Sequence, residues 1–216
     1  MAFNHKLMIA VMKGNLTKVI SLLEKGANVN YQDPNNGDTP LIISSYLDHY
    51  LISKLLLDNG ANVDIVNNSG DNALIRTCHC LLAGSYTDTI KLLLKYIDIN
   101  QQSTMNEGNT PLMEICMDCY GCMLSHTLDP EGSNNNMQLL LDHPDIDISI
   151  KNNEGKTALM MAQDNDDIVK VKLIEQHIFL KKLRAQQKLT LGKLYMSDMG
   201  SYLVEEALYE KISLLI

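Results

Sequence analysis

Three cysteines spaced three residues apart, Cys116, Cys119 and Cys122, are followed by His126. Thiolates and imidazoles are the ligands that Zn²⁺ prefers, and structural zinc sites use four of them. Steps of three residues place the thiols near one face of a helix. The spacing therefore predicts a zinc site as one hypothesis, and the alternative is that the thiols pack or lie in a loop.

A zinc site of this kind needs a second element, because the middle of one helix seldom offers three tetrahedral ligands. The sequence offers Cys78, His79 and Cys80 for it. Neighbouring helix axes lie about 8–10 Å apart, so the two cysteine groups would have to reach across that distance.

Catalytic motifs are absent from the sequence. It contains no G-x-x-x-x-G-K-[ST], no G-x-S-x-G and no H-E-x-x-H. Cys119 and His126 could form a nucleophile pair, but nothing nearby in sequence supplies an orienting group or an oxyanion donor. We therefore expect no enzyme, no catalytic residues and no cofactor.

Composition favours an all-α protein. The chain of 216 residues is 45% hydrophobic but only 5% aromatic, so Leu, Ile, Val and Met must fill the core. No apolar run reaches the roughly 20 residues of a membrane helix, and the first residues do not form a signal peptide. Five cysteines without such a peptide indicate free thiols in a reducing compartment. We expect a monomer without membrane association, cytoplasmic or otherwise intracellular, with delivery into a host cell left open.

The formal net charge of −8 is unevenly distributed. Residues 170–193 contain seven Lys and Arg against Glu175 alone, which leaves about −11 on the first 169 residues. The main part of the chain is therefore a poor candidate for nucleic-acid binding, and only the basic segment could attract an acidic partner.

Two short patterns recur along the chain, in phase with each other. The first occurs at Gly37–Leu41, Gly70–Leu74, Gly108–Leu112 and Gly155–Leu159; the second occurs at Leu22–Asn30 and Leu55–Asp64, with weaker copies at Leu92–Asn100 and Leu139–Ile148. Thr or Asn two residues after each glycine of the first pattern predicts a helix N-cap, and Pro40 and Pro111 suit the first helical position. Gly26 and Gly60 suit a left-handed residue after a helix end.

These two patterns resemble the T-P-L-H and G-A-D-V-N motifs of ankyrin-repeat proteins. The resemblance covers residues 1–176, in units near 5–36, 37–69, 70–107, 108–154 and 155–176. It implies an all-α solenoid of about five helix pairs with hairpin fingers, followed by a helical C-terminal extension at 177–216. The glycine spacing departs from 33 residues, rising to 38 and then to 47.

The resemblance also implies function, because ankyrin arrays bind other proteins through their finger tips and first helices. The tip residues expected to contact a partner are Asn35, Asn36, Asp38, Asn68, Ser69, Asp71, Asn106, Glu107, Asn109, Asn153, Glu154 and Lys156. On the first helices they are Tyr46, Leu47, His79, Met117 and Asp118. Polar and acidic tips favour a basic or hydrogen-bonding partner.

Asn100 lies in a Leu-x5-Asp-aliphatic-Asn pattern that resembles the target of an asparaginyl hydroxylase in ankyrin proteins. The alternative is that its side chain shapes the finger by bonding to backbone groups.

Residues 177–216 have two open interpretations. Their apolar and basic residues at near-helical spacing predict either a cap that shields the last repeat or a helix that docks a partner.

The repeat register changes the interpretation of the cysteines. Counting from Thr110 and Asn72 places Cys116 and Cys78 at a small helix-packing position of the family pattern, whereas Cys122 and His126 lie in extra residues. We expect an irregular loop over about 120–136. Three hypotheses remain: a protein-binding adaptor, a zinc protein, and a host-directed effector of a virus or intracellular bacterium.

Overall fold

The structure is a computed structural model that describes residues 2–79, 86–105, 107–117 and 130–197. Asn106 and Asp118, expected at the partner surface, lie outside these ranges. The described residues are all-α, with ten helices and no strand, as the composition and the repeat patterns predict. The chain divides into two compact units, Met1–Val171 and Lys172–Ile216.

The first eight helices form four packed pairs, and α9 and α10 follow them in the position of the predicted fifth pair. The pairs are α1 (Ala2–Met12) with α2 (Leu16–Glu24), α3 (Pro40–Tyr46) with α4 (Tyr50–Asp58), α5 (Ala73–His79) with α6 (Thr87–Leu93), and α7 (Pro111–Cys116) with α8 (Pro130–Leu141); α9 spans Ala158–Asp164 and α10 spans Ile168–Ser197. Each first helix from α1 to α7 packs on the next first helix, and each second helix from α2 to α6 packs on the next second helix. The proposed end of the array at residue 176 falls within α10 and stays a prediction.

Side-chain caps start the first helices where the sequence predicts them. The Thr39 hydroxyl accepts from the Ile42 N–H at 3.2 Å, and the Asn72 side chain accepts from the Ile75 N–H at 2.9 Å. Thr110 and Thr157 cap α7 and α9 in the same way. Each cap satisfies an N–H group that has no partner within its own helix.

Aliphatic side chains fill the interior between the helix layers. Leu7, Val11 and Leu56 are fully buried in one cluster that joins the first two pairs. Leu74, Ile90, Leu93 and Leu140 continue the buried layer through the later pairs. No helix among the described residues is both long and apolar enough to cross a membrane.

Four fingers connect the helix pairs, at residues 26–39, 60–72, 95–110 and 142–157. A backbone hydrogen bond closes each one as a hairpin, from Asp33 to Asp38, Asn67 to Asp71, Ser103 to Asn109 and Asn152 to Lys156, at 2.9–3.0 Å. Glycines with positive φ make the turns possible, including Gly70 at +81° and Gly155 at +78°.

Backbone hydrogen bonds also join each finger to the next. The Asn68 N–H donates to the Asn36 carbonyl at 2.9 Å, and the Thr104 N–H donates to the Gly70 carbonyl at 3.0 Å. The Asn153 N–H donates to the Glu107 carbonyl at 2.8 Å. The four fingers are therefore held side by side by their main chains.

The predicted loop over 120–136 is wrong at its end, because α8 begins at Pro130. Proline suits a first helical position, where the missing N–H has no partner to lose. Thr87 donates from its hydroxyl to the Asn136 side chain at 2.9 Å, which ties this part of α8 to the preceding repeat.

The contact between fingers predicts unequal effects of two alanine substitutions. Both Gly70→Ala and Gly155→Ala place a Cβ at positive φ, which costs about 1–2 kcal/mol. A Cβ at Gly70 would also overlap the backbone nitrogen of Met105, whereas at Gly155 it would meet nothing within 4 Å. We expect Gly70→Ala to lower the free energy of unfolding by about 1–3 kcal/mol more than Gly155→Ala, measured by urea denaturation. Equal losses would show that the finger contact is not tight.

Candidate functional site

The candidate site is a surface made of the finger tips and of half-buried residues at the ends of the first helices, Tyr46, His79 and Met117. Most of the expected tip residues lie at this surface. Asn35, Asn36, Asn68, Ser69, Asn153 and Glu154 are exposed, and Glu107 and Lys156 are half-buried. The fingers thus present mainly amide and hydroxyl groups to solvent.

Three expected tip residues do not face solvent, which corrects their assignment as partner contacts. Asp38 and Asp71 are each 8% exposed, and Asn109 is 2% exposed. A residue with so little accessible surface cannot contribute its side chain to a partner without opening the finger.

These buried residues instead accept hydrogen bonds from the next finger. The Asn67 amide donates to Asp38 at 2.9 Å, the Ser103 hydroxyl to Asp71 at 3.0 Å, and the Asn152 amide to Asn109 at 2.9 Å. Burial raises the pKa of Asp71, and the Ser103 hydrogen bond opposes that rise. The positions after Gly37, Gly70 and Gly108 therefore support the tips.

Lys156 at the last tip is held by two carboxylates of its own repeat. Its ammonium lies 3.3 Å from Glu154 and 2.9 Å from Asp164. Hydrogen bonds to these carboxylates, Asp164 first, raise the pKa of Lys156. Such exposed ion pairs are weak, so a partner could compete for any of the three groups.

Tyr46 and Leu47 lie at the end of α3, and Tyr46 packs on the neighbouring first helix. The guanidinium of Arg76 on α5 stacks over the Tyr46 ring, 4.6 Å from its centre. The Tyr86 hydroxyl donates to the Tyr46 carbonyl at 3.2 Å. Tyr46 and Leu47 are both half-buried, so part of each remains available at the surface.

His79 at the end of α5 pairs with Glu114 on α7. Its Nδ1 lies 2.5 Å from the Glu114 carboxylate, and the two side chains are 41% and 7% exposed. The hydrogen bond to Glu114 raises the pKa of His79, although burial opposes it. An imidazolium here would keep the buried carboxylate paired and link two adjacent repeats.

Sequence reasoning did not name Arg76 and Glu114 as site residues. It did name Met117, which is half-buried just after α7. The repeat register carried a signal for the missed pair: both residues stand four positions after their N-cap, Asn72 and Thr110. A buried or half-buried position that holds a charged residue in some repeats and an apolar residue in others is a candidate for a specific role.

The structure favours the structural role of Asn100 over the hydroxylation hypothesis. Its amide donates to the Asp145 carbonyl at 2.7 Å, and its oxygen accepts from the Asp147 N–H at 2.9 Å. Asn30 bonds the next repeat in the same way, at Gly60 and Asn62. The same two bonds in two repeats explain why asparagine stands at these positions.

Cys78 and Cys116 are 1% and 0% exposed, which confirms their predicted packing role. Burial raises the pKa of the Cys116 thiol to about 12 and raises that of Cys78 as well. No group of three or more His, Cys, Asp or Glu among the described residues is arranged to hold a metal ion. Cys80, Cys119, Cys122 and His126 lie outside the described residues.

Comparison with known proteins finds similarity to one family of repeats. Residues 7–103 match the family model described as ankyrin repeats in three copies. An ankyrin repeat protein of fowlpox virus (strain NVSL) is 34% identical over 116 residues, which cover 52% of this chain and 33% of the relative. A second one from the same virus is 32% identical over 96 residues, covering 44% and 21%. The chain thus spans a third or less of these relatives' lengths.

The pairing of His79 with Glu114 predicts a pH-dependent contribution to stability. Because the folded-state pKa of His79 is raised, the stabilisation is fully present below the ordinary histidine pKa of about 6.5 and is lost as pH rises through the folded-state value. We expect His79→Gln to lower the free energy of unfolding by about 1 kcal/mol at pH 6 and by less at pH 9, since the exposure of His79 weakens the pair.

Two further variants control this experiment, in which urea unfolding is followed by circular dichroism. Glu114→Gln removes the charge that His79 pairs with, so His79→Gln should show no pH-dependent effect in that background. His5→Gln, on the exposed side of α1, controls for the loss of a histidine elsewhere in the chain. An equal loss for His79→Gln at pH 6 and pH 9 would contradict the ion pair.

The burial of Cys78 and Cys116 predicts slow alkylation. We expect iodoacetamide at pH 8 to leave both thiols unmodified in the folded protein, because neither is accessible and little thiolate forms. In urea both should react, and peptide mass spectrometry separates the sites. Fast labelling of folded Cys116, or labelling that changes when EDTA is added, would restore it as a metal-ligand candidate.

Proposed function

The chain carries an array of ankyrin repeats, and from that premise we propose that it is a non-catalytic module that binds another protein. The contacts are made by the finger tips and by half-buried residues of the first helices, such as Tyr46 and His79. Proteins with ankyrin repeats are generally not enzymes, and they act by binding other proteins. We extend both properties to this chain as part of the proposal.

The observation that carries this proposal is the main-chain bonding between exposed tips. Asn68 and Thr104 each donate from the backbone to the preceding finger, at 2.9 and 3.0 Å. A surface fixed in this way loses little conformational entropy when a partner binds, and affinity gains from that preorganisation. Exposed groups at the tips, such as Asn68 and Ser69, are then held in register for a partner to contact.

We propose a protein as the partner because of the charge of the chain. A net charge of −8 repels the phosphate backbone of nucleic acids. The amide-rich tips suit a partner surface that offers hydrogen-bonding groups. We also propose that the protein is a monomer inside cells. The intracellular location rests on the free thiols of Cys78 and Cys116, which indicate a reducing compartment.

Helix α10 keeps both interpretations of the C-terminal region open. Phe179 is 64% exposed and Leu189 is 60% exposed, and they stand among basic residues such as Lys182 and Lys188. Exposed apolar side chains between cations suit a docking helix, so we retain partner docking beside capping as a role of residues 177–216.

A host-directed role is the second candidate function, and the comparisons favour it. The two relatives given above are ankyrin repeat proteins of a virus. In such a role the array would bind a protein of the host cell. The zinc hypothesis has less support, since the Cys116 thiol is buried and protonated and would have to leave the core to bind a metal.

Introducing cations at the tips should weaken partner binding. We expect the double variant Ser69→Arg and Glu107→Arg to weaken binding at least about tenfold, because new cations interrupt a hydrogen-bonding surface at its centre. The measurement uses immobilised full-length protein to capture partners from animal-cell and bacterial lysates, and then compares the amount of each captured protein between the variants.

A charge-reversal variant on the second helices controls for charge changes away from the tips. Lys54→Glu with Lys91→Glu alters exposed residues of α4 and α6, and it should leave capture unchanged. Thermal denaturation of each variant shows that folding is preserved. If only the second-helix variant loses capture, the interface lies on the second helices and the proposed surface is wrong. Capture from animal lysate only would support the host-directed role.

A further inference from the structure

Arg76 is a cation without an ion-pair partner among the described residues. The salt bridges in that part of the chain use His79, Lys156 and Lys170, and none uses Arg76. Its side chain is half-buried and stacks on the Tyr46 ring at 4.6 Å. Stacking occupies a face of the guanidinium and leaves the N–H groups at its edge able to donate.

Two buried carboxylates of these repeats, Asp71 and Glu114, already have hydrogen-bonding partners. Asp71 is buried and accepts the Ser103 hydroxyl at 3.0 Å. Glu114 is buried and pairs with His79. The charge of Arg76 opposes the rise in the pKa values of Asp71 and His79.

We propose that Arg76, positioned by Tyr46, is the anchor that receives the carboxylate of an Asp or Glu side chain of the protein partner. This inference rests on the proposed function and names the partner chemistry at one point of the same surface. The guanidinium presents parallel N–H groups that match a carboxylate in a two-pronged hydrogen bond. Held by the ring, it loses less rotamer freedom on binding than an unrestrained arginine would.

The charge of the array limits the kind of acidic partner. The net charge of −8 repels a polyanion as a whole, because many of its charges lie near the array at once. At physiological ionic strength that repulsion is screened beyond about 8 Å, so a single carboxylate can still reach Arg76. The partner segment is therefore one acidic residue flanked by neutral or basic residues. The tips alone suggest a basic or hydrogen-bonding partner, and the acidic residue at Arg76 is an additional requirement.

A selection of displayed random peptides on the full-length protein tests this inference. Enriched peptides should share one Asp or Glu, and changing it to Asn or Gln should weaken binding about tenfold, measured by fluorescence anisotropy. Arg76→Gln should weaken the parent peptide by the same factor and should have no further effect on the amide peptide. Arg76→Lys keeps the charge without the fork of donors and should give an intermediate loss.

Three controls separate a contact from a structural effect. Tyr46→Phe keeps the ring beneath the guanidinium and should keep affinity, whereas Tyr46→Ala should reduce it. Lys91→Gln removes an exposed cation from α6 and should change nothing. Thermal denaturation of each variant identifies any that does not fold, and the amide-substituted peptide tests the contact without altering the protein.

The outcomes separate this inference from the proposed function. Two results would overturn the Arg76 assignment and still support a binding module. The enriched peptides could lack an acidic residue, or they could bind Arg76→Gln normally and lose affinity for the tip variant. Failure to enrich any peptide over an immobilised control protein counts against both.

Discussion

The hydrogen bonds between neighbouring fingers are the interaction on which the rest of this surface depends. A finger is a projecting hairpin with few apolar contacts, so its main chain needs partners that water would otherwise supply. The next finger supplies them, through pairs such as Asn68 with Asn36 and Thr104 with Gly70. Each tip is therefore positioned by the following repeat, and a local change in one finger alters the register of its neighbour.

Polar residues at the base of the fingers serve this bonding. Asp38 and Asp71 are buried because a donor from the next finger, Asn67 or Ser103, completes their hydrogen bonding. A buried carboxylate without such a donor would cost several kcal/mol, roughly, so the contact and the burial require each other. Exposed residues one or two positions away can vary without this constraint, which divides each tip into a supporting and a presenting part.

Local chemistry in the sequence predicted most of the fold, and long-range contacts explain what it could not predict. Thr39 and Asn72 cap helices as expected, because an N-cap depends on residues three positions apart. The burial of Asp71 depends on Ser103, and the position of His79 depends on Glu114, 35 residues further along. Repeats of 38 and 47 residues hide which residues become neighbours, so those contacts had no local signal.

Comparison of equivalent positions within the chain separates support from specificity. Four residues after the N-cap, the repeats carry Ile43, Arg76, Glu114 and Met161; seven residues after it, they carry Tyr46, His79, Met117 and Asp164. The caps and turn glycines recur because every repeat needs the same backbone. Side chains that differ at one backbone position, such as Arg76 and His79 on α5, are not set by that shared requirement. Arg76 stacks on the Tyr46 ring and has no ion-pair partner among the described residues. Such an arginine contributes little to the stability of the fold, and this small contribution favours a role in binding.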